Sequence, residues 1–258
     1  MSEDKAPSER PTDGTGLLFT TLLTMAPEAL ARSLAADPAR AALLVQAAAA
    51  MGLAAGKVRL GRMLLEGSGL PQDRTAAFRW FWSAAEQEDV EAWNMVGRCF
   101  ENGWGVPIDY RQAARWFSLA ADAGNAWAHY NLGHLLLNGL GAPRDAIAAV
   151  AHYRAASEQG HPRALNLLGR CYEQGWGLPA DKAAAADCYR RSAEAGYFRG
   201  QFNHATMLHD AGAHDQALAW IERAAAAAPA SSLAPIRAKL AECQTARAGT
   251  VRDVAACP

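Results

Sequence analysis

Polar side chains suited to binding another molecule recur in the sequence at intervals of 36 residues. A mostly basic position occurs four times, and amide side chains accompany it. The basic positions are Arg62, Arg98, His134 and Arg170, and the amides are Asn94, Asn102, Asn131, Asn138, Asn166, Gln174 and Asn203. Arginine binds carboxylates through two parallel hydrogen bonds, and a carboxamide can both donate to and accept from a peptide backbone. The chemistry that these residues indicate is therefore recognition of a protein or peptide.

On one face of successive helices, the basic and amide positions are predicted to form a polar ladder along a concave wall. With helices about 10 Å apart, four basic groups would span about 30 Å. That length matches about nine residues of extended peptide. The ladder is predicted to bind a partner's backbone through the amides and its carboxylates through the arginines. The alternative is an ordinary solvated face, on which the arginines pair with nearby acids such as Glu101 and Glu173.

Three tryptophans are candidates for aromatic contacts with a partner. Trp104 and Trp176 lie between two glycines in equivalent loops, and Trp82 follows two aromatic residues. Exposed tryptophans favour interfaces because they combine a large apolar area with few rotatable bonds. The alternative for the loop tryptophans is structural, with each lying across the loop of the next unit. Trp80 and Trp116 are predicted to lie in the core.

Histidines and cysteines do not form a recognisable catalytic or metal-binding motif. His204, His209 and His214 are five residues apart, which separates them by about 140° around an unbroken helix. The five cysteines include no CxxC pair, so the thiols are predicted to be reduced and not to bind zinc. Cys99 and Cys171 are predicted to be small core residues. Because phosphate-binding, nucleophile-elbow and HExxH motifs are also missing, we expect no catalytic residue, no cofactor and no metal.

The composition favours a well-packed soluble protein and excludes several classes of function. The 258 residues are 51% hydrophobic, and 25 basic against 26 acidic side chains give a net charge of −1. Nucleic-acid binding is not expected, because it needs a clear positive excess. The apolar stretches 17–26 and 41–56 are predicted neither to act as a signal peptide nor to insert into a membrane. Together with the reduced thiols, these features predict a cytoplasmic protein.

The recurring residues belong to an internal repeat. A shift of 36 residues aligns Gly61 with Gly97, Gly133 and Gly169, and aligns the loop GSGLPQD with GWGVPID, GLGAPRD and GWGLPAD. Small and apolar residues recur at helical spacing on both sides of each loop, so each unit is predicted to be a pair of helices. A glycine in mid-helix costs roughly 1 kcal/mol relative to alanine. Its recurrence predicts that a neighbouring helix packs there too closely for a Cβ atom.

The loop residues have roles that follow from their chemistry. The first glycine, for example Gly103, is predicted to end the first helix in the left-handed conformation. Pro107 prevents that helix from continuing, and Asp109 is predicted to cap the amino terminus of the second helix. A single helical pair cannot bury both of its apolar faces, whereas stacked pairs can. The repeat therefore predicts an all-α solenoid.

The repeat resembles the Sel-one-like repeat (SLR) family, which is related to the tetratricopeptide repeat. The second copy agrees with the family pattern at Ala92, Val96, Gly97, Phe100, Gly103, Gly105, Asp109, Ala113, Trp116, Phe117, Ala120, Ala121 and Gly124. The resemblance covers residues 56–198. It implies a right-handed α-α superhelix of 36-residue helix–turn–helix repeats with helical caps. It also implies an adaptor that binds other proteins, and it does not imply catalysis.

Five segments are predicted along the chain, one of which consists of four repeats. They are a disordered amino-terminal tail at 1–16, a helical cap at 17–55, four repeats at about 56–91, 92–127, 128–163 and 164–198, a degenerate tetratricopeptide-like repeat at 199–229, and a carboxy-terminal capping helix and tail at 230–258. The predicted function is a bacterial-type, non-catalytic scaffold that binds a protein or peptide on its concave face. Two alternatives stay open: a regulator that responds to a small molecule or carbohydrate, and an accessory subunit of a separate enzyme. The oligomeric state also stays open.

Overall fold

The computed structural model describes residues 37–255, with side chains through residue 246. Within that range the regular structure is entirely helical, with twelve α-helices and one short 3₁₀ turn, Ala230–Ser232. None of the helices in the described range has both the length and the apolar character needed to cross a bilayer. The predicted amino-terminal tail, the first part of the predicted cap and Cys257 lie outside the described residues. The all-α prediction is confirmed.

The helices are joined by short loops and form two compact units. The helices are α1 Pro38–Ala50, α2 Ala54–Glu66, α3 Arg74–Ala85, α4 Val90–Asn102, α5 Tyr110–Asp122, α6 Ala126–Asn138, α7 Ala146–Glu158, α8 Pro162–Gln174, α9 Lys182–Glu194, α10 Phe198–Asp210, α11 His214–Ala227 and α12 Leu233–Ala255. The first unit ends at Leu119 and the second begins at Ala120, so α5 contains the boundary. The five predicted repeats are the helical pairs from α2–α3 to α10–α11.

The loop between the two helices of each of the first four repeats has the predicted caps. The glycines that end the first helices have φ values of 67° to 73°, and they are Gly67, Gly103, Gly139 and Gly175. At the far end of one loop, the side chain of Asp145 accepts a hydrogen bond from the N–H of Ala148 at 2.9 Å. Asp73, Asp109 and Asp181 make equivalent bonds. Losing such a cap typically costs about 1 kcal/mol.

The mid-helix glycines are required by close packing, as predicted. A Cβ atom built on Gly97 would lie 2.6 Å from the ring of Phe117, and one built on Gly133 would lie 2.8 Å from the ring of Tyr153. Each ring belongs to the second helix of the same repeat and is fully buried. The glycine therefore lets an aromatic ring lie directly against the first helix. This contact fixes which face of the first helix stays outside the core.

The second loop glycine packs against the preceding repeat, a role that the sequence did not reveal. A Cβ atom on Gly177 would overlap the carbonyl oxygen of Ala146, at the start of α7. A Cβ atom on Gly105 would overlap the carbonyl oxygen of Arg74, at the start of α3. Because backbone meets backbone at these points, each loop is held in place by the repeat before it.

The predicted core thiols are buried. Cys99 and Cys171 have no exposed surface, and both are free cysteines. Burial raises the pKa of Cys99 to about 12 and that of Cys171 to about 11, so both thiols are protonated at neutral pH. Trp80 and Trp116 were also predicted to be core residues, but they are only half-buried. The phenylalanine that follows each tryptophan occupies the inward position instead.

The ends of the described range differ in detail from the predictions. The segment 230–258 was predicted to hold a capping helix and a tail, and the helix α12 occupies most of it, from Leu233 to Ala255. The fifth repeat lacks the glycine-rich loop, and a short turn at residues 211–213 joins its helices. At the other end, Ala41 and Ala42 of α1 pack against Met63 of α2, and they cover it as a cap would.

Candidate functional site

Two clefts of matching composition lie on the first helices of the repeats, one in each unit. The first cleft is lined by Arg62, Glu66, Arg74, Met95, Arg98 and Trp104. The second cleft is lined by His134, Asn138, Arg144, Leu167, Arg170 and Trp176. Each has a volume of about 370 Å³. A shift of 72 residues, which is the length of two repeats, carries every residue named for the first cleft except Arg74 onto a residue named for the second cleft. The clefts are therefore one feature of the repeat, formed twice.

In each cleft an arginine lies on a loop tryptophan. The guanidinium carbon of Arg98 is 4.9 Å from the ring centroid of Trp104, and that of Arg170 is 5.2 Å from the ring centroid of Trp176. In the second cleft the left-handed Gly175 turns the chain back after α8. The backbone N–H of Trp176 then donates to the carbonyl oxygen of Cys171 at 3.0 Å. A cation–π contact is worth roughly 0.5–2 kcal/mol. The basic positions and loop tryptophans, which were predicted separately, thus form a single feature.

The first cleft contains its own counter-charges. Arg62 forms an ion pair with Glu91 in the first turn of α4, and Glu66 lines the cleft. Arg98 interacts electrostatically with Glu101, although burial raises the pKa of that carboxyl. Pairing of the ladder arginines with local acids, which was the alternative interpretation, therefore applies to this cleft.

The corresponding acidic positions are different in the second cleft. Asn138 stands 72 residues after Glu66, and Arg163 stands 72 residues after Glu91. Two carboxylates have thus been replaced by an amide and a guanidinium. The lining of the first cleft therefore combines three arginines with a carboxylate, whereas that of the second has two arginines and no carboxylate.

Within the described part of the chain, the arginines of the second cleft form no ion pair with a carboxylate. In residues 37–246, no carboxylate lies within ion-pair distance of Arg144 or Arg170. Glu173, a predicted partner, instead accepts a hydrogen bond from the hydroxyl of Tyr189 at 2.8 Å. Burial lowers the pKa of His134, so its ring is neutral at neutral pH. The positive charge of the cleft therefore comes from two guanidinium groups.

An apolar pocket adjoins the second cleft, and Arg170 lines both. The pocket has a volume of about 340 Å³. Besides Arg170, its apolar lining residues are Phe198, Phe202, Pro235 and Ile236, and its polar ones are Asn166, Arg199, Asn203, Ser231 and Ser232. The side chain of Asn203 donates to Asn166 at 2.8 Å, which holds the two amides together. Arg170 therefore lies where a cationic cleft meets a largely apolar one.

A family model of the Sel1 repeat matches five segments of the chain, residues 54–89, 90–125, 128–161, 162–197 and 199–228. The chain belongs to the Sel1 repeat family. The predicted resemblance is confirmed, and the five matched segments coincide with the helical pairs from α2 to α11. Proteins built from Sel1 repeats generally mediate protein–protein interactions.

Solved structures of bacterial proteins share the Sel1 repeat fold. One is c5321, a protective antigen present in uropathogenic Escherichia coli strains, at 27% identity and a TM-score of 0.67 over 88% of this chain and 48% of that chain. This chain thus spans about half the length of c5321. A Sel1 repeat protein from Oxalobacter formigenes is 27% identical, with a TM-score of 0.69 over 84% of this chain and 87% of that chain. No curated protein is similar enough to count as a match.

The amide part of the predicted ladder needs correction. The buried members are Asn94, Asn131 and Asn166, and the exposed members are Asn102, Asn138 and Gln174. The side-chain N–H of Asn138 donates to the carbonyl oxygen of His134 at 2.8 Å, and Asn102 makes the equivalent bond in its own helix. Several of these amides therefore bond within the Sel1 repeats themselves, and the accessible part of the ladder consists of the exposed amides and the basic residues of the two clefts.

Trp82 lies outside both clefts. It is on α3 and is 38% exposed, and its indole N–H donates to Glu86 at 3.1 Å. Its ring meets that of Trp116 edge-on, with centroids 5.3 Å apart. Trp82 is thus part of a separate aromatic surface on the second helices of the first two Sel1 repeats.

The histidines pair in ways that helical spacing did not predict. The turn at 211–213 breaks the helix between His209 and His214, so their Nδ1 atoms lie 3.2 Å apart. His129 pairs with His152 of α7, with Nδ1 atoms 3.0 Å apart. Among the residues that the structure describes, no group of three or more His, Cys, Asp and Glu side chains could hold a metal ion.

A buried histidine that the sequence analysis missed caps α8 in the fourth Sel1 repeat. The Nδ1 atom of His161 accepts a hydrogen bond from the N–H of Ala164 at 3.2 Å, where the preceding repeat uses Asn125. Trp127, which is 45% exposed, meets the ring edge-on at 4.3 Å, and Arg163 lies over Trp127 at 5.3 Å. The alignment of the repeats could have predicted this role, because His161 aligns with Asn125, which caps α6.

Replacing His161 by asparagine should make the fold less sensitive to acid. Burial, aided by the charge of Arg163, lowers the pKa of His161 to about 4 from 6.5. The ring is neutral in both the folded and the unfolded chain above pH 6.5. Below that pH the unfolded chain binds a proton first, so the free energy of unfolding decreases as the pH falls toward 4. At pH 4.5 this protonation lowers the free energy of unfolding of the wild type by roughly 2–3 kcal/mol relative to its value above pH 6.5.

Urea denaturation of both proteins at pH 7.5 and pH 4.5 tests this expectation. The asparagine keeps a capping oxygen but does not titrate, so the variant should lose less stability than the wild type between the two pH values. Equal losses in the two proteins would show that the His161 ring does not contribute to the acid sensitivity.

Proposed function

We propose that this Sel1 repeat protein is a non-catalytic scaffold or adaptor that binds a partner protein or peptide through the two clefts. The observation that supports this function is the repetition of the arginine–tryptophan pair, Arg98 with Trp104 and Arg170 with Trp176, at equivalent places in both units. The clefts contain the basic positions that the sequence assigns to the concave wall. The general role of Sel1 repeats in protein–protein interaction supports the same function.

The chemistry of the clefts suits a peptide ligand. Arginine and tryptophan are the side chains that most often dominate binding energy at protein interfaces. A stacked guanidinium loses less freedom on binding than a mobile one, and its edge can still donate two hydrogen bonds to a carboxylate. Leu167, which is partly exposed, supplies apolar surface beside the charged groups of the second cleft.

Reversing the charge of Arg98 and Arg170 together should weaken binding of the partner by about 10- to 100-fold, or about 1–3 kcal/mol. The partner is captured with the wild-type chain, identified by mass spectrometry and purified. Its dissociation constants for the wild type and for R98E/R170E are then measured by isothermal titration calorimetry. Far-ultraviolet circular dichroism checks that the helices are retained.

The control is R79E/R115E, which makes the same change in charge on second helices. Both arginines are exposed and occupy equivalent positions of α3 and α5. The control should bind as the wild type does, within about twofold. Full affinity of R98E/R170E, or an equal loss in both double variants, would contradict binding through the clefts.

A further inference from the structure

The two clefts differ in whether carboxylates of the chain lie beside their arginines. In the first cleft, Glu91 is already paired with Arg62, and Glu66 adds a second carboxylate. In the second cleft, Arg144 and Arg170 have no carboxylate within ion-pair distance in the part of the chain described. A negatively charged group thus meets a carboxylate beside the three arginines of the first cleft, and meets none among the lining residues of the second.

The second cleft also orients its guanidinium groups. Arg144 uses its Nε–H to donate to the carbonyl oxygen of Leu137 at 2.9 Å, so its terminal N–H groups are available to a ligand. Arg170 is exposed and lies on Trp176. Two guanidinium groups that are held by the protein lose little side-chain freedom when they bind a carboxylate.

The apolar pocket beside the cleft specifies a second feature of the ligand. Arg170 lines both cavities, so a ligand whose charged group contacts Arg170 has the pocket directly next to it. Phe198 and Phe202, which are partly exposed, supply apolar surface there. At about 340 Å³, the pocket is larger than a leucine or phenylalanine side chain.

We propose that the second unit binds an extended peptide segment in which an aspartate or glutamate lies next to a large apolar residue. The acidic side chain binds Arg144 and Arg170 in the second cleft, and the apolar side chain enters the adjoining pocket. This inference rests on the proposed function and narrows it, since it states which sequence a partner must contain and which of the two clefts binds it.

An array of random twelve-residue peptides with amidated carboxy termini tests the inference on the full chain. Amidation removes the terminal carboxylate, so any acid that is selected is a side chain. We expect the selected peptides to be enriched in aspartate or glutamate beside leucine, isoleucine or phenylalanine. For a selected peptide, changing its acid to the corresponding amide should weaken binding at least 10-fold, and Arg170→Gln in the protein should do the same.

The two changes made together should weaken binding little more than either alone, because both remove the same contact. Arg79→Gln is the control for loss of one charge, and it should bind as the wild type does. Phe202→Ala should reduce the preference for the apolar residue while the acid is still selected. This second variant tests the pocket even if Arg170→Gln lowers stability.

The possible outcomes separate this inference from the proposed function. Selected peptides that lack an acid, or that bind Arg170→Gln with full affinity, contradict the inference. If such peptides still lose binding to R98E/R170E, the proposed function survives. A chain that selects no peptide contradicts the inference alone, since the proposed function also allows a protein partner. Selected peptides that bind R98E/R170E as well as the wild type contradict both.

Discussion

Replacing Gly133 by leucine should destabilise the second unit by about 3 kcal/mol or more, which corresponds to a fall in melting temperature of roughly 6–12 °C. Even a Cβ atom at this position would lie 2.8 Å from the Tyr153 ring and 3.2 Å from the carbonyl oxygen of Ala149. The ring is fully buried and the carbonyl belongs to the backbone of α7, so neither has room to move aside. The helices must therefore separate, and thermal denaturation followed by circular dichroism measures the loss.

Ala151→Leu is the matched control for the added leucine. Ala151 is exposed on α7, the helix that Gly133 faces, so the same side chain enters solvent there. The control should change the melting temperature by no more than a few degrees. A normal melting temperature for Gly133→Leu would show that the glycine is not required by close packing.

Replacing Gly177 by alanine should cost more stability than replacing Gly175, although both glycines lie in the same loop. The two have nearly equal φ values of +73° and +69°, so both alanines bear the left-handed penalty of about 1–2 kcal/mol. A Cβ atom on Gly175 would touch only Ala180 and Leu178 at 3.7 Å, which is ordinary contact. On Gly177 it would overlap the Ala146 backbone, which adds an estimated further cost of about 2 kcal/mol.

Gly175→Ala is thus the internal control, because it has the strain without the clash. Urea denaturation of both variants gives the two free energies of unfolding. Gly177→Ala should also weaken partner binding, since Trp176 lies beside the displaced backbone and supports Arg170. Equal destabilisation by the two substitutions would contradict the packing of this loop on the preceding repeat.

The helices and their ends could be predicted because local chemistry determines them. Asp145 caps α7 by accepting a hydrogen bond from the N–H of Ala148, three residues later. Gly139 ends α6 because glycine readily adopts the left-handed conformation. The mid-helix glycines could be predicted for a related reason. A costly residue that recurs in mid-helix indicates a close neighbour. In the structure that neighbour is the aromatic residue 20 positions later in the same repeat, as Phe117 is for Gly97.

The binding surface could be predicted only in part, because burial and charge depend on how the repeats pack. Helical spacing placed Asn166 on the same face as Arg170, but the next repeat buries it beneath Asn203. The stacking of Arg170 on Trp176 depends on how far the glycine turns the chain back, which residue types alone do not give. Arg144 was missed for the same reason, since it reaches the second cleft from the loop that precedes α7.

Site-specific photocrosslinking tests most directly whether the partner binds in the clefts. A photoreactive amino acid is placed at Asn138, which is exposed and lines the second cleft, and in a separate protein at Ile147, which is 74% exposed on the second helix α7. A partner seated in the clefts should crosslink strongly from position 138 and weakly from position 147. Crosslinking from position 147 without crosslinking from position 138 would contradict the account.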